Sequence, residues 1–417
     1  GQDKVLFIYQ GASNYGNAVV GSVSGSSISF GTPSVFISSS TSGLSASYDS
    51  NAGKTAIFFT DGGSSSHGKS CVATISGTSV SFGTIVTYAS VETGAGTGST
   101  FDASQNKLLI VYSHGGTVAN TLAATISGTD IAFGSVAQLD DTGAAYRLAI
   151  QYDSNASKSL VIYSKNASGQ DDRLYGRVIT LSGTTISLGT EALAVAASSP
   201  VPVDSALTYD STNNKLVLGY AVGSPVLYYL VVGTISGTSF SFGTAVSTGV
   251  RLNLTTKNQI SYNVAAQKVV VAGRDDGASH IQKYVTAAVS GTTISIDSAV
   301  TYYSSTSYVS ASTYDPDQQK SVLFYAASSF SNPAVKILTV GSTTLTSENF
   351  IGFSNAAYAT GQTATIQAGG AVNTGQSSLT MGQQYFAQGD GTLGLTAATP
   401  SVIAGTAVSA TDLIVKG

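Results

Sequence analysis

Two pairs of adjacent acidic residues stand in polar loops of the sequence, Asp171-Asp172 and Asp275-Asp276. Two carboxylates on either side of a sugar bond can catalyse glycoside hydrolysis. Acidic residues in loops are, however, usually solvated rather than catalytic. The sequence also shows no nucleophile elbow, no glycine-rich phosphate loop and no His/Cys metal spacing. We therefore predict a protein that is not an enzyme, and a glycan-active enzyme remains an alternative.

The histidines and the single cysteine indicate no further reactive site. His67, His114 and His280 fall in loops of the same kind but in separate parts of the chain, so a shared metal site is not expected, nor is any cofactor. Cys71 stands in a predicted strand where similar segments carry small apolar residues, which favours a buried structural thiol. With one cysteine, no disulfide can form within the chain.

These loops belong to a repeated unit. The stretch "ATISGTSVSFGT" at 73–84 returns as "ATISGTDIAFGS" at 124–135 and as "GTISGTSFSFGT" at 233–244. Each stretch predicts a hairpin that turns at a glycine, and the glycine after the Phe predicts a bulge in the following strand. The turn glycines are 50 to 55 residues apart and number the repeats one to seven: Gly25, Gly77, Gly128, Gly183, Gly237, Gly291 and Gly341.

A second marker keeps the same period, as in "ASYDSNAGKTAIFF" at 46–59 and "LTYDSTNNKLVLGY" at 207–220. It predicts a strand, a polar turn and another strand, and the Asp or Asn before the turn can bond the turn's own amides. A calcium site is the alternative, but each loop closes with a Lys, which disfavours a cation. The six acidic or amide residues are Asp49, Asp102, Asp153, Asp210, Asn263 and Asp315.

Each complete repeat therefore contains four strands, which we name a (before the Asp), b (after the Lys), c (before the glycine turn) and d (after it). Four short antiparallel strands in about 50 residues predict an all-β, seven-bladed β-propeller over residues 1–353, and favour it over a β-solenoid, whose coils are shorter. Repeat one begins at strand b. Its strand a either precedes the given sequence or comes from a later segment, and the absence of an initial Met favours a processed or truncated chain.

The last part of the chain, residues 354–417, departs from the repeat. Its short strands and Gly-rich turns predict a small C-terminal β-domain or tail. Such a segment buries little core of its own, so we expect it to mediate attachment or homo-oligomerisation.

Composition narrows the range of partners. Charged residues make up 10% of the chain and the net charge is -4, so no basic surface is expected for nucleic acid. The longest apolar run, "VLYYLVV" at 226–232, is too short to cross a bilayer, and membrane insertion is not expected. Hydrophobic residues at 42% are enough for a large core.

The terminal run "SSLTMGQQYFAQGDGTLGLTAATPSVIAGTAVSATDLIVKG" at 377–417 resembles the C-terminal ends of tail-fibre-like and other structural proteins of tailed bacteriophages, marine ones in particular. The "SGTSISFGT"-type and "YDSNAGK" repeats resemble segments of the same kind of phage protein. This resemblance implies a virion structural protein that meets the host surface, located on the phage particle and in contact with other virion proteins. No stalk or anchoring domain is visible, so a tail fibre, a head fibre and a decoration protein all remain open.

The pattern of loops suggests where a bacterial surface glycan or protein would bind. In an antiparallel blade the a–b and c–d turns lie on one face, and the b–c loops lie on the other. The first two are uniform, whereas the b–c loops vary, as in "DGGSSSHGK" at 61–69 and "RDDGASH" at 274–280. The alternative is a purely structural subunit whose loop face packs against other copies. The candidate ligand-binding residues are Asp61, His67, His114, Lys165, Asp171, Asp172, Asp275 and His280.

Overall fold

The structure is a computed structural model. It describes residues 4–93, 96–140, 144–166, 173–195, 204–222, 226–253, 259–327, 333–340, 350–356, 363–388, 392–397 and 401–416. Within these residues the regular structure is β-strand, apart from two single 3₁₀ turns at Ala12–Asn14 and Gly62–Ser64. The prediction of an all-β chain is confirmed.

The strands follow the sequence repeats. In repeats two to six an antiparallel sheet pairs a with b, b with c and c with d, whereas within the described residues repeat one has strands b to d and repeat seven has strands a to c. A Lys begins every strand b. The long strand Ser34–Asp49 serves two repeats, since its first part pairs with strand c of repeat one and its second part is strand a of repeat two. The remaining strands a are Thr97–Asp102, Ala144–Asp153, Asp204–Asp210, Leu252–Asn253 with Ile260–Asn263, and Ser307–Asp315.

The other strands complete these sheets. Strands b are Lys4–Gln10, Lys54–Asp61, Lys107–His114, Lys158–Asn166, Lys215–Val222, Lys268–Asp275 and Lys320–Ala327. Strands c are Tyr15–Ser24, His67–Ser76, Val118–Ser127, Arg173–Ser182, Leu227–Ser236, Ile281–Ser290 and Pro333–Leu338. Strands d are Ser27–Phe30, Ser79–Phe82, Asp130–Phe133, Thr185–Leu188, Ser239–Phe242 and Thr293–Ile296.

In repeats one to six, the outer edge of the sheet carries one more strand than the sequence predicted. We name it strand e, and it pairs with the first half of strand c while strand d pairs with the second half. The predicted glycine bulge separates the two, and its amide bonds strand c, as from Gly83 N to Val72 O at 2.8 Å. Beyond the first part of Ser34–Asp49, strands e are Val86–Glu92, Ala137–Asp140, Ala192–Val195, Val246–Ser247 and Val300–Tyr303.

The a–b turns are capped as the sequence predicted. Asp49 Oδ1 accepts hydrogen bonds from the amides of Asn51 and Ala52, both at 2.9 Å, and Asn263 Oδ1 accepts one from Ala266 N at 2.9 Å. These side chains are almost completely buried. A buried carboxylate that accepts two amide hydrogens caps its turn.

The core lies between the sheets of neighbouring repeats, where alternate side chains of strands b and c interlock. Phe58 of repeat two packs with Leu108 and Ile110 of repeat three, for example. Repeat one also packs against repeat seven, because the rings of Phe7 and Phe324 lie 5.5 Å apart. Gly25 N in the first c–d turn donates to Gln318 Oε1 in the seventh a–b turn at 3.4 Å.

Contacts divide the chain into two compact units, Gly1–Val340 and Gly341–Gly417. The sequence predicted the boundary between the two parts at residue 353, which is further along the chain than the boundary after Val340. In the second unit, Phe353–Ser354 pairs with Ile366–Gln367, and a five-stranded sheet packs its residues into small cores around Leu413 and Ala404. The strands of that sheet are Val372–Asn373, Gln384–Ala387, Leu393–Gly394, Ile403–Ala407 and Leu413–Val415.

Candidate functional site

The b–c loops begin where strand b ends and finish where strand c begins. In repeat two, Asp61 is the last residue of strand b and pairs with His67, the first residue of strand c. In repeat six, Asp275 and Ile281 hold the same positions. Antiparallel pairing therefore places the b–c loops at the same end of the sheets, which we call the b–c face.

Asp61 is a buried, ion-paired residue rather than an exposed ligand, which corrects the expectation from its loop position. Its side chain accepts hydrogen bonds from Lys69 Nζ at 2.5 Å, from Gly63 N at 2.9 Å and from Ser39 Oγ. Burial alone would raise the pKa of Asp61, but the hydrogen bonds from Lys69 and Ser39 outweigh it and hold the pKa below its usual value. Asp61 builds its loop instead of presenting a free carboxylate.

Asp275 repeats this arrangement in repeat six and requires the same correction. It is 4% exposed, its Oδ2 lies 2.7 Å from Lys283 Nζ, and its Oδ1 accepts from Gly277 N at 2.9 Å. Neither lysine is among the candidate residues that the loop pattern indicated. The signal was present, because each Lys follows its Asp at the same spacing, from 61 to 69 and from 275 to 283.

Lys165 lies in a polar cluster between repeats three and four. Its Nζ is 3.0 Å from Asp140 Oδ1 and 2.9 Å from Glu191 Oε1, and it stands 5.4 Å from the centre of the Tyr175 ring. Burial would lower the pKa of Lys165, but the bonds to Glu191 and Asp140 raise it. Tyr163, fully buried, donates to Glu191 Oε2 at 2.5 Å. Arg177 Nη2 lies 4.0 Å from Glu191 Oε2, so two cations face two carboxylates in this cluster, which joins two sheets.

The histidines lie around the b–c loops as predicted. His114, the last residue of its strand b, and His280 are exposed, whereas His67 is half-buried. Loops of repeats two and three meet at Glu92, which pairs with His67 and whose carbonyl accepts from Gly115 N at 2.9 Å. Asp171 and Asp172 lie outside the described residues. In the described part of the chain, no group of three or more His, Cys, Asp or Glu is placed to hold a metal ion.

The loop of repeat six presents the clearest polar surface. Arg274 Nε donates to Asp276 Oδ1 at 2.7 Å, and His280 Nε2 lies 3.8 Å from the same oxygen. Asp276 and His280 are exposed. Ser279 and His280 both have left-handed backbone, with φ of 56° and 61°, and Ile281 N closes this turn on Ala278 O at 3.3 Å. Non-glycine residues of the a–b turns, such as Asn106 and Gln319, have the same left-handed φ, so this backbone belongs to the type of turn.

Repeat two builds the same loop with different exposed residues. Ser65 and Ser66 take the left-handed positions, with φ of 51° and 58°, and Gly62 stands where repeat six has Asp276. The two loops thus share the buried Asp–Lys pair and the turn. They differ in the side chains that they present to solvent.

A central cavity of about 840 Å³ lies among the innermost strands of the first unit. Strands a of repeats two to seven line it, together with strand b of repeat one. Its walls combine hydroxyl and apolar side chains, among them Ser99, Thr208 and Ile260.

The fold resembles solved structures at low sequence identity. The periplasmic gluconolactonase PpgL of Pseudomonas aeruginosa matches with a TM-score of 0.53 at 10% identity, over 81% of this chain and 95% of that one. A candidate 6-phosphogluconolactonase from Bacteroides uniformis matches with a TM-score of 0.51 at 10% identity, over the same shares of the two chains. These likenesses show a β-propeller fold and nothing about activity.

Aleuria aurantia lectin, in complex with Fucalpha1-6GlcNAc, matches more weakly, with a TM-score of 0.43 at 10% identity over 71% of this chain and 94% of that one. No protein-family model matches the sequence, and no curated protein matches it significantly. Among the described residues, no helix has the length and apolar character needed to span a bilayer.

Proposed function

We propose that this chain is a non-enzymatic, glycan-binding protein of a tailed-bacteriophage particle, with seven blades in its propeller. The b–c loop face meets the sugar, and the loop of repeat six is its main contact. The phage assignment rests on the sequence resemblance alone. The glycan assignment rests on the chemistry of the loop.

The exposed Asp276–His280 pair is the observation that carries the proposal. A carboxylate accepts hydrogen bonds from sugar hydroxyls, and an imidazole can donate or accept. The Arg274 guanidinium orients the carboxylate by its bond of 2.7 Å, and the left-handed turn fixes the backbone of His280. Polar groups held in place before binding lose less conformational entropy when the ligand arrives.

A binding role fits the loop acids better than catalysis does. Glycoside hydrolysis needs two carboxylates that reach the scissile bond. Asp61 and Asp275 are buried, and their carboxylates are bonded to Lys69 and Lys283, so neither is open to a scissile bond. Among the described loop residues this leaves single exposed carboxylates, such as Asp276, which suit hydrogen bonding.

Two contacts support a closed ring of seven blades. The Phe7–Phe324 ring contact and the Gly25–Gln318 hydrogen bond both join repeat one to repeat seven. The same kind of turn-to-turn bond joins neighbouring repeats elsewhere, from Gly183 N to Gln105 Oε1 at 3.0 Å. The first and last repeats therefore meet as consecutive repeats do.

Repeat two supplies the matched variant for the test. The double substitution Asp276→Gly and His280→Ser gives the loop of repeat six the exposed residues of repeat two while its buried Asp275–Lys283 pair remains. On an array of bacterial surface glycans, we expect the full chain to bind and this variant to lose most of its signal. Asp130→Asn, an exposed change at a c–d turn, should bind normally.

Absence of any glycan signal would contradict the proposed function. Equal binding by the double variant would instead leave glycan binding standing and remove the repeat-six loop from it. The structural-subunit alternative predicts a different observation, namely a map of the particle in which the b–c face is buried between copies of this chain.

A further inference from the structure

Strand b of repeat one, Lys4–Gln10, has one open edge among the described residues. It pairs with Tyr15–Ser24 on one side, whereas strand b of every other repeat also pairs with a strand a. The open edge faces the central cavity, where Leu6 and Ile8 are half-buried. An unpaired edge of backbone N–H and C=O groups is a template for another strand.

Side chains of the inner strands point in turn to the preceding and to the following repeat. This alternation shows which side chains line the space beside the open edge. Ser45 and Ser47 of repeat two both bond Ser99 of repeat three at 2.8 Å, and Ser261 of repeat six bonds Ser312 of repeat seven. Counted back from the turn Asp or Asn, the second and fourth residues therefore face the following repeat. The first and third residues face the preceding repeat, since successive side chains alternate along a strand.

Aromatic residues at the first position follow the same alternation. Tyr209 Oη of repeat five accepts from Asn155 N in the a–b turn of repeat four at 3.2 Å, and Tyr314 Oη of repeat seven accepts from Ala265 N in repeat six at 3.3 Å. Each such Tyr thus caps the turn of the repeat before it. Tyr48 is the corresponding residue of repeat two, and it is 50% exposed.

The alternation defines both walls of a groove beside the open edge. Ala46 and Tyr48 of repeat two face it from one side, and Ala311 and Thr313 of repeat seven face it from the other. Phe324 lines it behind them, half-buried. The walls are formed by small side chains with one exposed aromatic ring, so the space suits a polypeptide strand of small residues.

We propose that this groove is an acceptor site for one extended strand with the pattern of the inner strands, small residues that end in Tyr-Asp. The strand adds to the free edge of Lys4–Gln10 through main-chain hydrogen bonds. Its Tyr caps the a–b turn of repeat seven, and its own turn receives Tyr48. At the other positions of the added strand, Ser or Ala is small enough to pack beside the side chains of Thr313 and Ala46.

The site is tested by supplying such a strand to the full chain. Residues 310–315 read Ser-Ala-Ser-Thr-Tyr-Asp, and this hexapeptide plus one Ser, placed directly before Gly1, reproduces the spacing from Asp to Lys of the other a–b turns. Alternate amides of residues 4–10 point to the open edge, and we expect their hydrogen exchange to slow by about tenfold or more, because they gain partners. A control extension, Ser-Ala-Pro-Pro-Tyr-Asp-Ser, lacks two N–H groups and should give no protection.

Equal exchange with the two extensions would overturn the proposal. So would slow exchange of these edge amides in the unextended chain, since the edge would then be covered by another segment or another copy. A second variant tests the wall. Ala46→Arg should fill the groove and abolish the protection, whereas Asn51→Arg, on the exposed a–b turn of repeat two, should leave it unchanged.

Discussion

Gly83, at the bulge of repeat two, lies directly against the carbonyl oxygen of Thr129 in the c–d turn of repeat three, inside the distance at which any β-carbon would fit. The same relationship joins Gly31 to Thr78, Gly189 to Thr238 and Gly243 to Thr292. These glycines are therefore needed for the contact between repeats. The bulge itself forms without glycine in repeat six, where Asp297 N donates to Thr286 O at 2.8 Å. The local sequence pattern predicts the bulge and does not reveal the contact.

Substitution of Gly83 by Ala should destabilise the protein by about 2–3 kcal/mol, because the turn of repeat three cannot retreat from its own hydrogen bonds. Gly134→Ala is the matched control, since its added β-carbon would lie 2.9 Å from Thr184 Cβ and 3.0 Å from its carbonyl oxygen, a looser contact. Chemical denaturation should give the smaller loss for Gly134→Ala. Equal losses would mean that the bulge geometry, not the contact between repeats, demands glycine.

Asp61→Asn should lower stability by about 3 kcal/mol at pH 7, because it leaves Lys69 largely buried without its anion. The folded-state pKa of Asp61 lies below the unfolded value of about 3.9. Its stabilisation is therefore present above pH 4 and is lost as the pH falls through the folded pKa. Denaturation midpoints of wild type and variant should converge under acid conditions. Asp130→Asn should change little, and a gap that does not narrow as the pH falls below 4 would contradict the assignment.

Strand order, turn positions and bulges could be predicted because they depend on short patterns, such as the Asp before each a–b turn and the Lys that begins each strand b. The burial of Asp61 could not, because Ser39 reaches it from the other side of a long strand and Lys69 from the next strand. Strand e was missed because its residues show no pattern of their own after the bulge. The cluster at Lys165 combines Asp140 and Glu191 from two repeats, which no single repeat reveals.

Lys165→Ala should reduce stability, contrary to the expectation for an exposed binding residue. Its ammonium lies between Asp140 and Glu191, so its removal leaves two buried or half-buried carboxylates close together. Breaking such a pair costs about 3 kcal/mol. A lower melting temperature with glycan binding retained at low temperature is the expected result. An unchanged melting temperature would return Lys165 to the list of binding candidates.

Cys71 should report unfolding. The thiol is completely buried in the core of repeat two, and burial raises its pKa to about 12. Thiolate, the reactive form, is therefore almost absent in the folded protein at pH 8. A disulfide reagent should label Cys71 only as fast as the chain opens, and at full rate in denaturant. Rapid labelling without denaturant would show that repeat two opens locally.

The second unit, Gly341–Gly417, should be the part that joins copies of the chain. Its described strands are two to five residues long, and the unit exposes the side chains of Ile366, Val372, Met381, Leu395 and Ile414. Apolar side chains at this density on so small a unit indicate a surface that another protein covers.

Light scattering should give a multiple of the chain mass for the full protein and a single mass for residues 1–340. Met381→Lys with Ile414→Lys should dissociate the full chain, while Val264→Lys, an equally exposed apolar site in repeat six, should not. Monomeric mass for the full chain at all concentrations would remove the second unit as an oligomerisation element and leave attachment to another virion protein as its role.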